Sequence, residues 1–442
     1  MKHTQSKLIR TQIPRTAEGE HASPLYLTSS FCFDNAEDMR AAFADETDVN
    51  IYSRFSNPNV QEFVDRLCIL ENAEAGFATA TGMSAVFGSF MALLKKGDHL
   101  LSCTSIFGST HTVISKYLPK YGIEYGYVSA NATATQWEAA ITPQTKMIYL
   151  ETPTNPGLEV VDIAMVSAIA KKHNIILNVD NCFATPIGQT PIDLGADIVI
   201  HSATKWIDGQ GRVLGGAIVG RKDLIHEMYL FCRATGPSLS PFNAWILSKS
   251  LETLEVRMER HCSNALFVAE KLEGHSKINF VKYPFLISHP HYAIAKKQMK
   301  NGGGILCFEI KGGIEAGRHF LNHLKMLSLT ANLGDTRSIA SHPASTTHAK
   351  LSEAENLFQY AAMCRNYLLF QEIQSRNYTE KEKSEMFLQN VDDSEYLAGR
   401  AQCLTELGVA TMDGSSDVKI SNMRFANLPT TLQQYTNKLN LH

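Results

Sequence analysis

The spacing of short apolar runs limits this chain to few folds. Six runs lie between residues 98 and 220, separated by stretches of helical pattern: DHLLSC (98–103), EYGYVS (124–129), KMIYLE (146–151), IILNVD (175–180), ADIVIH (196–201) and LGGAIVG (214–220). They recur about every 20–25 residues, the length of one strand–helix unit. Because the runs are continuously apolar rather than alternating, they predict strands covered on both faces. The pattern therefore predicts an α/β fold with a large, mostly parallel sheet.

The segments on either side of these runs predict an arm and a second domain. Residues 1–53 are polar and show little periodicity, which predicts an N-terminal arm that packs on something else, such as a neighbouring subunit. Residues 54–245 are predicted to form the α/β domain, and residues 246–442 a smaller α+β domain. The segment FNAWILSKSLETLEVRMERHCSNALFVAEKLEG, which crosses this boundary, predicts one long helix that ends at Gly274.

Composition excludes several classes of protein. The chain has 41 Lys and Arg against 44 Asp and Glu, without the basic excess of a general nucleic-acid binder. The longest apolar stretch, residues 86–94, is too short to span a bilayer, and the first twenty residues lack the apolar core of a secretory signal. Nine scattered cysteines without a C-x-x-C pair indicate reduced thiols, so we expect a cytoplasmic protein. His289 and His291 have no third ligand nearby, which favours a structural role over a metal site.

Reactive side chains follow three of the predicted strands. Asn155, Asp180 and Lys205 are each 25 residues apart and come at or just after the end of an apolar run. Because ligands bind at the carboxyl ends of strands in open α/β sheets, these groups are expected to converge. Burial at a strand end lowers the pKa of a lysine and frees its amine to attack an aldehyde; the alternative is a surface lysine that caps the strand. Ser202 and Thr204 add two hydroxyl donors suited to a phosphate.

A carboxylate, a helix start and an arginine point to a cofactor. Asp180 can keep a pyridine nitrogen protonated, as pyridoxal phosphate (PLP) requires, although an Asp at a strand end more commonly caps a turn. In ATATGMSA, the N–H groups of Gly82 and Met83 open a buried helix and suit a phosphate. Tyr52 and Arg54 in NIYSRFSNPN precede the first long helix, where the arginine either binds a phosphate or is a solvated loop residue.

Taken together, these motifs resemble the Cys/Met-metabolism family of PLP enzymes. The matching stretches are YSRFSNPN, ATGMSA, ETPTNP, VDNCFATP, ADIVIHSATKW, GGAIVG and SHPASTTH, and the likeness runs from about residue 10 to 353. The resemblance implies PLP as cofactor and fold type I, the aspartate-aminotransferase-like fold. It makes residues 54–245 the PLP-binding domain.

The resemblance also implies a role for each matching residue. Lys205 is similar to the lysine that carries the cofactor as a Schiff base, and Asp180 to the partner of the pyridinium nitrogen. The other implied contacts are Phe107 stacked on the ring, Asn155 near the 3-oxygen, a phosphate cradle of Ser202, Thr204, Gly82 and Met83, and Tyr52 with Arg54 at the neighbouring subunit's phosphate. The last pair implies an active dimer, and in this family dimers usually pair into a tetramer.

Three features indicate a branch of the family. DGQGRVLGG, GPSLSPFNAW and Phe107 in SIFGST resemble the members that use O-succinylhomoserine. Where other members have a tyrosine that assists proton transfer, Phe107 can stack but cannot donate a proton. The resemblance implies γ-replacement on O-succinyl-L-homoserine, or another homoserine ester, with sulfide, giving homocysteine in methionine and cysteine biosynthesis. The alternatives are a cystathionine γ-synthase, a methionine or cystathionine γ-lyase, and a PLP-binding fold whose divergent tail has abolished substrate binding.

After about residue 353 the likeness ends. Family members carry an arginine there, in a segment like RISVGLE, that grips the substrate α-carboxylate, and no such string occurs in this chain. The candidates for this role are Lys419, Arg365 and Asn332, the last of which stands where much of the family has serine. A lysine would bind the carboxylate as a point charge, without bidentate geometry. Residues 354–415 form an atypical, highly charged stretch of helical pattern.

Overall fold

A computed structural model of the chain describes residues 3–343 and the backbone of residues 367–371. The helices are α1 (Thr4–Arg10), α2 (Ala36–Phe43), α3 (Pro58–Glu71), α4 (Gly82–Leu93), α5 (Gly108–Thr112), α6 (Ala134–Ala139), α7 (Ile163–Lys172), α8 (Thr185–Gly188), α9 (Lys222–Thr235), α10 (Pro241–Leu251), α11 (Leu254–Leu272), α12 (Tyr292–Gln298) and α13 (Gly313–Asn322). The strands are β1 (Ala75–Thr79), β2 (His99–Cys103), β3 (Glu124–Val128), β4 (Thr145–Glu151), β5 (Ile176–Asp180), β6 (Ile198–His201), β7 (Gly216–Gly220), β8 (Ile278–Lys282), β9 (Leu306–Ile310), β10 (Ser328–Leu329), β11 (Ile339–Ser341) and β12 (Tyr367–Gln371).

Seven strands form the large sheet, in the order β1-β7-β6-β5-β4-β2-β3. The pairs from β6 through β5, β4 and β2 to β3 are parallel, whereas β7 is antiparallel to both of its neighbours. Strands β2 and β7 are buried along their whole length, as expected for continuously apolar runs covered on both faces. All six predicted strands are present as β2–β7, and the α/β fold class is confirmed. The edge strand β1 was not among the predicted runs.

The smaller sheet has the order β10-β11-β12-β9-β8. Its pairs are antiparallel except for β10 with β11. Phe308 on β9 meets Phe320 on α13 edge to face, with ring centroids 5.9 Å apart, and both side chains are buried. Val268 and Leu272 on α11 belong to the same apolar cluster. This sheet therefore has a core of its own beside that of the large sheet.

The prediction of one long helix after Pro241 was wrong, because the chain forms α10 and α11 with a break between them. Two arginines take the backbone carbonyls that a continuous helix would use. Arg66 donates to Ser248 O at 2.9 Å, and Arg257 donates to Ser250 O at 2.9 Å. These side-chain hydrogen bonds satisfy carbonyls at the end of α10 and allow the chain to turn.

The histidine pair in SHPHY accepts hydrogen bonds from backbone N–H groups. His291 Nδ1 accepts from Val160 N at 2.9 Å, and His289 Nδ1 accepts from His291 N at 3.1 Å. Burial lowers the pKa of His289 to about 4, so it is neutral near pH 7. Residues 3–343 contain no cluster of three potential metal ligands. In the same range no helix is both long and apolar enough to cross a membrane.

The sheet register defines the edge at which the predicted site lies. Glu151, the last residue of β4, pairs with Asp180, the last residue of β5, and Asp180 pairs with Ile200 on β6. The segments that follow these three strands therefore start side by side. This brings the loops of Asn155 and Lys205 to the same edge as Asp180.

Candidate active site

Lys205 lies in the turn that follows β6. Its backbone N–H donates to Ser202 O at 3.1 Å, and its amine donates to Asn332 Oδ1 at 2.8 Å. Burial lowers the pKa of the amine from its ordinary 10.5. Such an amine is neutral at a lower pH than an exposed lysine, as a nucleophile or a base requires. The structure thus places Asn332, considered above for the substrate carboxylate, on the amine of Lys205.

The segment that carries Asn332 presses against the lysine turn. Gly334 has φ of +83°, and a Cβ atom there would lie 2.4 Å from Trp206 N and 2.5 Å from the carbonyl carbon of Lys205. Glycine is required for so close a backbone approach in this conformation. This contact keeps Asn332 at the amine although 127 residues separate it from Lys205.

Asp180 is a carboxylate whose two oxygens both accept hydrogen bonds. Its Oδ1 accepts from Cys182 N at 2.9 Å, and its Oδ2 accepts from the Tyr149 hydroxyl at 3.2 Å. Burial raises the pKa of Asp180, while the Cys182 N–H and the charge of His201 act in the opposite direction. None of the ion pairs between described residues includes Asp180. A pyridinium nitrogen would supply the positive charge that this carboxylate lacks.

A second buried polar group lies behind Asp180. His201 Nε2 is 2.6 Å from Glu71 Oε1, and Asn181 Nδ2 donates to the same oxygen at 2.8 Å. All three side chains are buried. The sequence analysis missed this group, although His201 ends a predicted strand just as Asp180 does. Its contacts indicate that it supports the backbone around Asp180.

The start of α4 meets the lysine turn where the phosphate cradle is predicted. Thr81 caps the helix by accepting from Ser84 N at 3.0 Å. The N–H groups of Gly82 and Met83 have no acceptor among the described residues. A Cβ atom on Gly82 would lie 2.6 Å from the Cβ of Ser202, so only a glycine permits this approach. Two free N–H groups beside a serine, at a helix N-terminus, fit the phosphate of PLP.

The two predicted phosphate hydroxyls differ in their surroundings. Thr204 Oγ1 donates to Gly215 O at 3.2 Å and accepts from Gly215 N at 3.1 Å, so its proton is already committed. The Ser202 hydroxyl has no partner within the described part of the chain. Of the pair, Ser202 is therefore better placed to donate a hydrogen bond to a phosphate. Thr204 instead connects the lysine turn, through its hydrogen bonds to Gly215, with the segment before β7.

Phe107 and Asn155 are joined by a residue that the sequence analysis overlooked. Glu151 Oε2 accepts from Phe107 N at 2.7 Å, and Glu151 Oε1 accepts from Asn155 N at 2.8 Å. The Phe107 side chain is 41% exposed, and the Asn155 amide has no hydrogen-bond partner among the described residues. Both side chains are thus free to contact a ligand, and both backbones are fixed by one carboxylate.

Tyr52 and Arg54 lie away from this group in the single chain. Arg54 donates to the carbonyl of Arg233 at the end of α9, and its guanidinium carbon lies 4.6 Å from the Phe55 ring centroid and 5.5 Å from that of Tyr52. Within residues 3–343 none of the hydrogen bonds of Arg54 reaches Gly82, Ser202 or Lys205. Their contact with a neighbouring subunit stays a prediction.

The remaining candidates lie outside the described residues. These are Lys419 and Arg365. Of the charged stretch 354–415, only the backbone of residues 367–371 is described, and it forms β12 instead of the helix that the pattern predicts. Which group holds the substrate carboxylate therefore stays a prediction.

Comparison with known proteins agrees with this geometry. The Cys/Met metabolism PLP-dependent enzyme family matches residues 5–362. The chain is 47% identical to an O-succinylhomoserine sulfhydrylase of Pseudomonas aeruginosa, over 78% of this chain and 85% of that protein. It is 42% identical to an L-methionine gamma-lyase of Porphyromonas gingivalis, over 76% and 84%. A putative O-acetylhomoserine (thiol)-lyase of Campylobacter jejuni, solved with a pyridoxyl-lysine monophosphate, superposes with a TM-score of 0.82 at 32% identity, covering 89% of this chain and 99% of that one.

The fold and the half-buried lysine and carboxylate at the sheet edge define a fold type I, PLP-dependent enzyme. The chain belongs to the Cys/Met metabolism family of these enzymes. The family resemblance expected from the motifs is therefore confirmed. Its relatives include both sulfhydrylases and γ-lyases, the two principal activities considered above.

Proposed function

We propose that this enzyme replaces the γ-substituent of O-succinyl-L-homoserine with sulfide and so forms homocysteine, a step of methionine and cysteine biosynthesis. The observation that carries the proposal is Phe107, whose backbone N–H donates to the Glu151 carboxylate at the end of β4 and whose ring has no hydroxyl. The 47% identity to an O-succinylhomoserine sulfhydrylase supports the same reaction. The substrates are then an amino-acid ester and a small sulfur nucleophile.

The cofactor would be held by groups of known geometry. Lys205 would carry it covalently, and Asp180 would face the pyridine nitrogen. The other contacts would be the Phe107 ring, the Asn155 amide, the N–H groups of Gly82 and Met83, and the Ser202 hydroxyl. Bound PLP supplies an electron sink for charge that develops at Cα and Cβ of the substrate.

Lys205 would carry out the proton transfers once the substrate amine has displaced it from the cofactor. Burial lowers the pKa of the amine, which favours the neutral base. Asn332 Oδ1 accepts a hydrogen bond from the amine at 2.8 Å and does not titrate, so it orients the amine without taking its proton. In this proposal Lys205 removes the Cα proton of the substrate and then transfers a proton at Cβ.

Phe107 favours an ester substrate over a thioether. A succinate group leaves as a carboxylate, which needs no proton from the enzyme. Methanethiol or cysteine is a more basic leaving group and benefits from a nearby acid, which a phenylalanine cannot provide. The need for an acid at the leaving group therefore distinguishes the γ-lyase reactions from the proposed one.

The active unit is proposed to be a dimer, paired into a tetramer, in the cytoplasm. Support for assembly comes from the segment around Tyr52, where four large apolar side chains are about half exposed or more: Leu27, Met39, Phe43 and Val49. A neighbouring copy would cover them and bring Tyr52 and Arg54 to its phosphate. Support for the location comes from the seven cysteines of the described residues, all of which are free thiols.

The test is a product assay on PLP-loaded protein supplied with O-succinylhomoserine and sulfide. Homocysteine is the expected product. 2-Oxobutanoate alone would mean elimination and would assign a γ-lyase. Cystathionine, formed when cysteine replaces sulfide, at a higher rate than homocysteine would assign a cystathionine γ-synthase. Acetyl and phosphoryl esters run in parallel measure the preference for the succinyl group.

A further inference from the structure

We propose that Glu151 is a positioning residue of the cofactor site, whose carboxylate holds the backbones of Phe107 and Asn155 at a fixed separation. The inference rests on the proposed contacts of these two residues with PLP. It adds a residue that does not itself touch the cofactor but determines where two contacting side chains stand.

The geometry is that of a clamp between two loops. The Phe107 N–H comes from the segment after β2, and the Asn155 N–H comes from the loop after β4. Each binds a different oxygen of the Glu151 carboxylate, at 2.7 and 2.8 Å. These distances are in the range of hydrogen bonds to an ionised acceptor. One side chain thus connects two loops on neighbouring strands.

Among side chains, a carboxylate is suited to accept both bonds, because each of its two oxygens is an acceptor. A glutamine has one oxygen and one NH₂ group, so one of the two backbone N–H groups would face a donor. An apolar residue would leave both N–H groups without their acceptor. Glu151 is 4% exposed and is absent from the ion pairs of the described residues, so a carboxylate is kept here without a cation to offset burial.

Burial and the neighbouring Asp180 both act against the charge of Glu151. Burial raises the pKa of Glu151, and the Asp180 carboxyl raises it further, while the two backbone N–H groups lower it. A carboxylate in a position that disfavours its charge supports a role for Glu151 that requires two acceptor oxygens, namely holding the two backbone N–H groups.

The clamp has a consequence for the ring of Phe107 in particular. This ring is 41% exposed, and no aromatic contact restrains it within residues 3–343. Its backbone is held by two hydrogen bonds: the N–H donates to Glu151 Oε2 at 2.7 Å, and the carbonyl accepts from His111 N at 2.9 Å at the start of α5. The bond to Glu151 is the one that links this backbone to the Asn155 loop. Loss of the bond lets the ring move relative to the Asn155 amide and so changes the angle at which the cofactor is held.

The first test compares Glu151→Gln, Glu151→Asp and a control, Glu159→Gln. Glu159 belongs to the same loop, where it pairs with Lys282 at 3.0 Å and accepts from Thr154, away from Phe107. All proteins are loaded with PLP, and the cofactor-band circular dichroism is recorded without substrate. Glu151→Gln is expected to keep a covalent link to Lys205 but to lose at least about half of the signal, because the ring is no longer held at one angle. Glu151→Asp, which keeps two acceptor oxygens, is expected to recover part of it, and Glu159→Gln to match the wild type.

The second test is kinetic and uses Phe107→Ala. If Glu151 acts through Phe107, Glu151→Gln lowers kcat about 10- to 100-fold in the wild type, with KM changed far less, and lowers it much less in the Phe107→Ala protein. Equal effects in the two backgrounds, or a wild-type dichroism signal in Glu151→Gln, would overturn the inference. Should Glu151→Gln not fold, the cycle is run with Glu151→Asp, and additive effects there would overturn it equally. The dichroism needs no substrate, so an absence of homocysteine in the wild-type assay would reject the proposed reaction alone.

Discussion

The floor of the site and the arm beside it are built in opposite ways. The floor is defined as Lys205, Asp180 and Glu151, at or just after the ends of β4–β6. Glu151 is buried and the other two are half-buried, and each side chain has a hydrogen-bond partner in the same chain. The exposed arm, defined as residues 27–55, presents large apolar side chains to solvent, with Met39 and Phe43 each 47% exposed. The difference supports the proposed assembly, in which one chain completes the floor and a second chain would cover the exposed arm.

The anchored arm, defined as residues 3–26, is fixed to its own chain by hydrogen bonds that involve its backbone. Arg66 Nε donates to Thr11 O at 2.7 Å, Glu62 Oε2 accepts from Ile13 N at 3.0 Å, and Trp245 Nε1 donates to Ser23 O at 2.9 Å. Buried polar groups of α3 and α10 thus bind this part to its own chain. The contrast between floor and exposed arm therefore predicts two kinds of variant. Variants of the floor should lose activity to the same extent at every protein concentration, whereas variants of the exposed arm should lose activity only on dilution.

The largest effect is expected from Lys205→Ala. The variant loses the covalent link to PLP and the proton transfers assigned to the amine, so kcat falls by at least about 1,000-fold. The loss is the same at every protein concentration, because the floor belongs to one chain. Absorbance of lysine-linked cofactor and homocysteine formation are measured together, and retention of both would refute the role of Lys205.

The next effect concerns stability and the anchored arm. Arg66 is fully buried and pairs with Glu62 at 3.0 Å and Glu252 at 2.7 Å. Arg66→Ala leaves carboxylates without their partner and is expected to lower the free energy of unfolding by about 3–5 kcal/mol. Urea denaturation measures this. The matched control is Arg40→Ala, whose surface pairs with Glu37 and Glu46 predict a much smaller change.

A smaller effect, visible only on dilution, is expected from the exposed arm. Met39→Ser or Phe43→Ser removes an apolar side chain that a second copy would bury, which predicts about a tenfold weaker dimer. The free energy of unfolding of the monomer stays nearly unchanged. Sedimentation at several concentrations, with activity followed in parallel, measures the change. A loss of activity that does not depend on protein concentration would contradict the proposal that a second copy covers the exposed arm.

The smallest effect is a shift on the pH axis. Because burial lowers the pKa of Lys205, its amine is neutral at a lower pH than that of an exposed lysine. The rate at which the apoprotein takes up PLP covalently should rise with pH and reach half its maximum below pH 10.5, the ordinary lysine value. If the uptake rate reached half its maximum at the same pH as, or a higher pH than, the reaction of a free lysine derivative with PLP, burial would not lower the pKa of this amine.

Local pattern explains what could be predicted from the sequence. Strands β2–β7 follow from continuous apolar runs, and Asn155, Asp180 and Lys205 follow from their places at the strand ends. Strand β1 was missed because its sequence, AGFAT, is rich in small residues and has no apolar run. The break between α10 and α11 was missed because its causes, Arg66 and Arg257, act from other parts of the chain or from the next helix.

The rest of the site depends on pairings that no local pattern contains. Asn332 meets Lys205 across 127 residues, and Glu151 meets Phe107 across 44. A buried carboxylate such as Glu151 has the same sequence signature as an exposed one at a strand end. Only the arrangement of the strands reveals that two backbone N–H groups converge on it.

The most direct test of the central claim, that Lys205 is the amine of the cofactor site, is a trapping experiment. PLP-loaded protein is reduced with borohydride and digested, and the peptides are examined by mass spectrometry. The account predicts one pyridoxyl group per chain, on Lys205. A pyridoxyl group on another lysine, or none in a protein that still forms homocysteine, would contradict it.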